Sequence, residues 1–233
     1  MNIRKYQMLS SEELIDIQNN LSRNSIFTDL FTKPIRKIGG VDLAFIKDHA
    51  VAAYICVNYE NLEIIEKKTL LTKLDFPYRP GFLWFREGPP IVRVIKSLDV
   101  LPDVFMINAH GLAHPRRFGC ASHVGVNIEK PTIGIAGSRL FGEVIKIPRK
   151  FGYTEPLKSN NETIGYIIKP KIGKPIYVSP GHMISLESTV KITINCLRNH
   201  RLPEPLYLSH ILAESRKRKI IHSMSSSFET HFS

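Results

Sequence analysis

The chain reads as an α/β (α+β) domain built on one mixed β-sheet flanked by helices, and three observations predict it. Its first half holds three β-branched runs in succession, KIGGVDLAF, HAVAAYICVNY and LEIIEKKTLLTKL, separated by short polar breaks. Two later runs, VFMI and PTIGIA, are short and wholly apolar, as expected of strands buried on both faces. Helical stretches then alternate with further strands, so the helices have a sheet to cover.

An opening helix is expected over residues 10–23, where Leu14, Ile15, Ile17 and Leu21 form an apolar stripe behind a Ser-rich start with Glu12 and Glu13. The three β-branched runs form an antiparallel meander. FPYRPGF follows as a rigid loop, because proline fixes φ and Gly81 permits the turn. A helix is placed from about Pro89 to Ser97, then the VFMI strand, whose C-terminal end opens into the polar cluster NAHG. TIGYIIKP and PIYVSPG read as strands. Ser185–Leu197 and about Leu206–Lys219 read as helices. One domain is expected over residues 1–220, with a flexible Ser-rich tail over 221–233.

Thirty-two Lys and Arg against 21 Asp and Glu leave a formal charge of +11. That surplus favours a polyanionic partner, nucleic acid before an acidic membrane surface. Three scattered cysteines make neither a CxxC pair nor a disulfide framework. The N-terminus lacks a signal-like apolar core and no run reaches membrane-spanning length, so a cytoplasmic monomer is expected.

Four places invite chemistry. Asp42 is a lone carboxylate in an apolar strand, so it needs a cation, a hydrogen-bond donor or a shifted pKa, unless it lies at an exposed edge. Glu87, in WFREGPP, is either functional or an acid complementing a helix dipole. NAHGLAHPRRFG combines an amide, histidines, Arg116 and Arg117 with small residues; it suits a phosphate-bearing ligand or is a solvated turn. His210 lies about one turn into the last helix, as a ligand or a structural histidine. Two carboxylates, an amide and a histidine from distant elements have the chemistry to meet at one divalent cation.

PYRPGFLWFREGPP and HGLAHPRRFGCASHVG, followed by PTIGIA, SRLFGE, SPGHMISLES and RLPEP, resemble the endonuclease V family from about Lys37 to His210. The resemblance implies a ribonuclease H-like fold and Mg²⁺ or Mn²⁺ held by Asp42, Glu87, Asn108 and His210. It implies recognition of inosine in DNA, and possibly RNA, with hydrolysis of the second phosphodiester bond on the 3′ side. Tyr78, beside Pro77, would be the wedge filling the gap left by a rotated base. Gly81, Leu83, Ala109, Gly111 and Gly119 would line the base pocket. His114 would lie near it, and Arg86, Arg116, Arg117 and Arg139 would approach the backbone.

The sequence departs from the family pattern at the centre. Asn108-Ala109-His110-Gly111 stands where the family has Asp-Gly-His-Gly, which removes a charged ligand. Gly137 stands where a lysine usually follows the PTIGVA strand; Arg139 is the nearest cation in sequence. Ala109 adds a methyl beside the pocket. The expectation is a slow or metal-demanding nuclease, or a paralogue that binds such nucleic acid without efficient cleavage.

Overall fold

A computed structural model describes residues 4–229, with the backbone alone for 4, 5 and 226–229. Eight strands form one sheet: β1 Lys37–Ile46, β2 His49–Asn58, β3 Ile64–Lys73, β4 Val104–Ile107, β5 Thr132–Ala136, β6 Thr154–Ser159, β7 Glu162–Ile168 and β8 Ile176–His182. Their order is β3-β2-β1-β4-β5-β8-β7-β6. The meander is antiparallel as expected, β1, β4 and β5 run parallel, and the remaining pairs are antiparallel. The helices are α1 Arg4–Gln7, α2 Ser11–Ser22, α3 Leu83–Lys96, α4 Cys120–Ile128, α5 Leu186–Asn195 and α6 Glu204–Glu229.

Helix α2 starts as read. Ser10 caps the Glu13 N–H and Glu13 returns the bond to the Ser10 N–H, so two orphan donors are satisfied together.

The sheet separates two cores because strand side chains alternate. On β4, Phe105 and Ile107 pack with Trp84, Phe85 and Val94 of α3, whereas Val104 and Met106 pack with Ile192 of α5 and Leu206 of α6. The even positions of β1 face α6. Ile38 joins the cluster of Leu206, Ala44 joins that of Ala213, and a Cβ on Gly40 would lie 2.2 Å from the Pro205 carbonyl oxygen. Gly40 therefore lets the start of α6 lie against the strand. Asp42 and His210 fall between these apolar contacts, in the same stripe.

The structure departs from the sequence reading at four elements. Helix α3 begins at Leu83 rather than Pro89, and carries Pro89 and Pro90 inside it. Burial of Trp84 and Phe85 in the core outweighs the two lost backbone donors, and Glu87 thus sits a turn into the helix rather than at its start. Helix α4 was not expected from the sequence. Its small residues carry little periodic signal, and its N-cap, Gly119, makes no side-chain cap bond. Strand β6 was not expected, since Pro156 and polar residues weaken its pattern; it forms the sheet edge, where proline is tolerated. Helix α6 runs to Glu229, ten residues past Lys219, through most of the stretch expected as a flexible tail; residues 230–233 lie outside the described residues. The basic run Arg216–Lys219 is therefore mid-helix.

All three cysteines are free and buried. Among the described residues, no helix is long and apolar enough to cross a membrane.

Candidate active site

Asp42 is buried, at 6% exposure, and both its oxygens are engaged. Asn108 Nδ2 donates to Oδ1 at 2.8 Å, and His210 Nδ1 donates to Oδ2 at 2.8 Å. The topology dictates the meeting. The parallel register sets Val41 beside Ile107, and the next residue, Asn108, donates its backbone N–H to the Val41 carbonyl at 3.3 Å. Helix α6 delivers His210 from the opposite direction, four residues beyond Leu206.

The bond to Asp42 raises the His210 pKa, against a smaller opposing effect of burial. The Asp42 carboxylate thus favours imidazolium, which must lose its Nε2 proton before that nitrogen can ligate a cation. Glu87 is pushed up to about 7, first by burial and then by the negative charge of Asp42, with Arg86 opposing. The structure brings Asp42, Asn108 and His210 into direct contact, whereas Glu87 is joined to them through its field.

Two carboxylates, Asp42 and a Glu87 whose ionisation it opposes, with an amide oxygen and an imidazole nitrogen, fit Mg²⁺ or Mn²⁺ in kind. Among the described residues, however, no three His, Cys, Asp or Glu side chains are grouped to hold an ion. Asn108, an amide, adds no negative charge to the cluster.

The PYRPGF loop and the histidine loop are tied at one atom. The Gly81 carbonyl accepts from Arg116 Nη2 at 2.6 Å, from His114 Nε2 at 3.2 Å and from Gln18 Nε2 at 3.2 Å. His114 Nδ1 accepts from the Arg116 N–H, which fixes the neutral Nε2–H tautomer, and burial pushes its pKa down to about 4. Gly81 itself has φ +80°, a conformation that suits glycine. Tyr78, three residues before Gly81, is 67% exposed.

The arginines expected at a nucleic-acid backbone are engaged internally. Arg116 Nε donates to Gln18 Oε1 at 2.8 Å, and its guanidinium lies 4.9 Å from the Phe82 ring. Arg117 pairs with Glu162 at 2.8 Å, and Arg86 donates to the Phe76 carbonyl at 2.8 Å. The sequence showed the charge of these residues but not the partners that use it. Arg139 lies exposed after β5. Of the pocket candidates, Ala109, Gly111 and Gly119 are buried and Leu83 is half-buried. A Cβ on Gly111 would lie 2.2 Å from the Pro180 carbonyl oxygen, and one on Gly119 2.2 Å from that of His110. Crossing backbones already account for both glycines.

Sequence reasoning missed Arg201 and Gln18. Arg201 Nη2 donates to the Gly137 carbonyl at 2.6 Å and to the Pro175 carbonyl at 3.3 Å, and Nε donates to the Lys174 carbonyl at 3.1 Å. The guanidinium, not Arg139, lies over Gly137: a Cβ there would sit 3.3 Å from Nη1. The available signal was an arginine directly before LPEP.

The family model for Endonuclease V matches residues 19–211. The Endonuclease V of Dictyoglomus thermophilum is 37% identical over 210 residues, covering 90% of this chain and 92% of that protein. That of Archaeoglobus fulgidus is 37% identical over 214 residues, covering 91% and 96%. Among solved structures, the Bacillus subtilis enzyme superposes with a TM-score of 0.87 at 28% identity, covering 96% of this chain and 98% of that one. Ciona intestinalis Endonuclease V, solved with a 24mer DNA containing an inosine followed by a ribo-adenosine, gives a TM-score of 0.79 at 29% identity, covering 90% and 98%. The ribonuclease H-like expectation holds with them. Fold, motifs and near full-length matches agree: the chain belongs to the endonuclease V family.

Proposed function

We propose that this protein is a metal-dependent endonuclease that recognises inosine in DNA or RNA and hydrolyses the second phosphodiester bond on its 3′ side. The observation that carries the reading is the Asp42–Asn108–His210 contact, set beside a Glu87 whose ionisation Asp42 opposes. Asp42, Glu87, the Asn108 oxygen and His210 would hold Mg²⁺ or Mn²⁺. Such an ion, when bound, stabilises charge on a phosphate and lowers the pKa of water.

The chain's own residues do the rest. Asp42 is the anchoring carboxylate, and Asn108 and His210 fix the orientation of its two oxygens. Glu87, titrating near neutrality, is suited to hold or release a proton at a carboxylate oxygen beside attacking water. Tyr78 projects from a loop stiffened by Pro77 and Pro80, which lowers the ordering cost of inserting a ring into a base stack. His114, neutral and bound to Gly81, holds that loop against the strand-end cluster.

One observation favours a second reading, a binder that cuts poorly. Each Asp42 oxygen is already met by a protein donor, and an asparagine adds no negative charge to attract a cation. The test is nicking of inosine-containing and control DNA and RNA under Mg²⁺ and Mn²⁺, with wild type and Glu87→Ala. Inosine-dependent nicks that Glu87→Ala abolishes support the nuclease. Inosine-selective binding without a nick under either metal supports the binder.

A further inference from the structure

Beside Asn108 and His210 lies an open groove of about 590 Å³, also lined by Gly137, Arg201 and Tyr207. Arg201 is fixed there by three backbone carbonyls, which take Nε and Nη2 and hold the guanidinium plane. All three acceptors are neutral. Among the described residues no carboxylate pairs with Arg201, and Nη1 has no hydrogen-bond partner. The nearest acid in sequence, Glu204, is paired with His200 at 3.5 Å. His200 in turn stacks on Tyr207, with ring centroids 3.6 Å apart and planes 9° from parallel. The groove thus offers a half-used, uncompensated guanidinium next to a flat aromatic pair.

We propose that Arg201 binds a backbone phosphate of the nucleic-acid strand that runs from the Asp42–Asn108–His210 centre along this groove. A guanidinium whose Nε edge is anchored loses little entropy when its remaining edge takes an anion, and its fork suits phosphate oxygens. Gly137 is part of the arrangement, because any side chain there would press on Nη1. The inference rests on the nucleic-acid reading above, but concerns a residue outside the Asp42 contact.

The test measures binding of inosine-containing and control oligonucleotides in EDTA across a salt series, for wild type, Arg201→Gln and Arg201→Lys. One lost phosphate contact makes the slope of log affinity against log salt shallower by about 0.7 to 0.9. Arg201→Gln should show that change on both oligonucleotides, and Arg201→Lys should retain most of the wild-type slope. A wild-type slope in Arg201→Gln overturns the proposal, since a purely structural clamp leaves the count of phosphates unchanged. Wild type that binds both oligonucleotides equally defeats the inosine reading while the slope comparison still decides Arg201. Wild type that binds neither defeats both. Should Arg201→Gln fail to fold, phenylglyoxal labelling of wild type decides. Protection of Arg201 by the oligonucleotide supports the contact, and undiminished labelling overturns it.

Discussion

Arg116 and Arg201 both donate to backbone carbonyls, yet their surroundings differ. Arg116 is half-buried, with its guanidinium turned inward. Gln18 takes Nε, Gly81 takes Nη2, and the Phe82 ring covers the plane. Arg201 is held by one edge over Gly137 and opens into a groove shared with Asn108 and His210. A basic motif such as HPRR is therefore not evidence of a phosphate contact until its partners are known. Around Gly81 arginine ties two loops under an aromatic ring; beside Asn108 and His210 it opens onto a groove.

That contrast can be broken by substitution. Arg116→Ala should cost the most stability, about 2–3 kcal/mol, because it removes two charge-assisted bonds and exposes the base of the wedge loop. Chemical denaturation measures it; a loss under 0.5 kcal/mol would show that the clamp is idle. Glu87→Gln comes next and acts in the other direction. The carboxyl is raised to about 7 in the folded state, so that state holds the proton more tightly than the unfolded chain. Its destabilising effect is absent below the unfolded value and complete above pH 7. The variant should thus gain up to about 3 kcal/mol at pH 8 and nothing at pH 4, while losing nicking. An equal effect at both pH values would contradict the raised pKa. Arg117→Ala should cost under about 1 kcal/mol, since its partner Glu162 is largely exposed. Tyr78→Ala should leave stability within about 0.5 kcal/mol and abolish the preference for inosine. Loss of stability there would mean that the ring packs rather than wedges.

Much of the scaffold was legible because its signals are local. The β-branched runs gave β1–β3, and the wholly apolar VFMI and TIGIA runs gave β4 and β5. What stayed hidden depends on tertiary partners. The start of α3 at Leu83 needs the core around Trp84, and α4 needs Gly125, where a Cβ would lie 2.3 Å from Thr132 Oγ1. Within the site, the pairing of Asp42 with His210 spans 168 positions and that with Asn108 spans 66, so no spacing rule could reveal them. The family resemblance supplied that convergence. It did not supply the anchoring of Arg116, or Arg201, whose place at Gly137 arises from a loop 64 residues on.

The central claim is that Asp42, Asn108 and His210 form a metal-poor version of a nuclease centre. Titrating Mn²⁺ against nicking of an inosine-containing strand, for wild type and Asn108→Asp, tests it most directly. An aspartate at position 108 replaces the amide donor facing Asp42 Oδ1 with a second carboxylate, which opposes Asp42 until a cation binds. The account predicts that Asn108→Asp nicks at a Mn²⁺ concentration about 10-fold or more below that of wild type. Equal metal requirements in the two proteins, or no nick from either at any concentration, would contradict it.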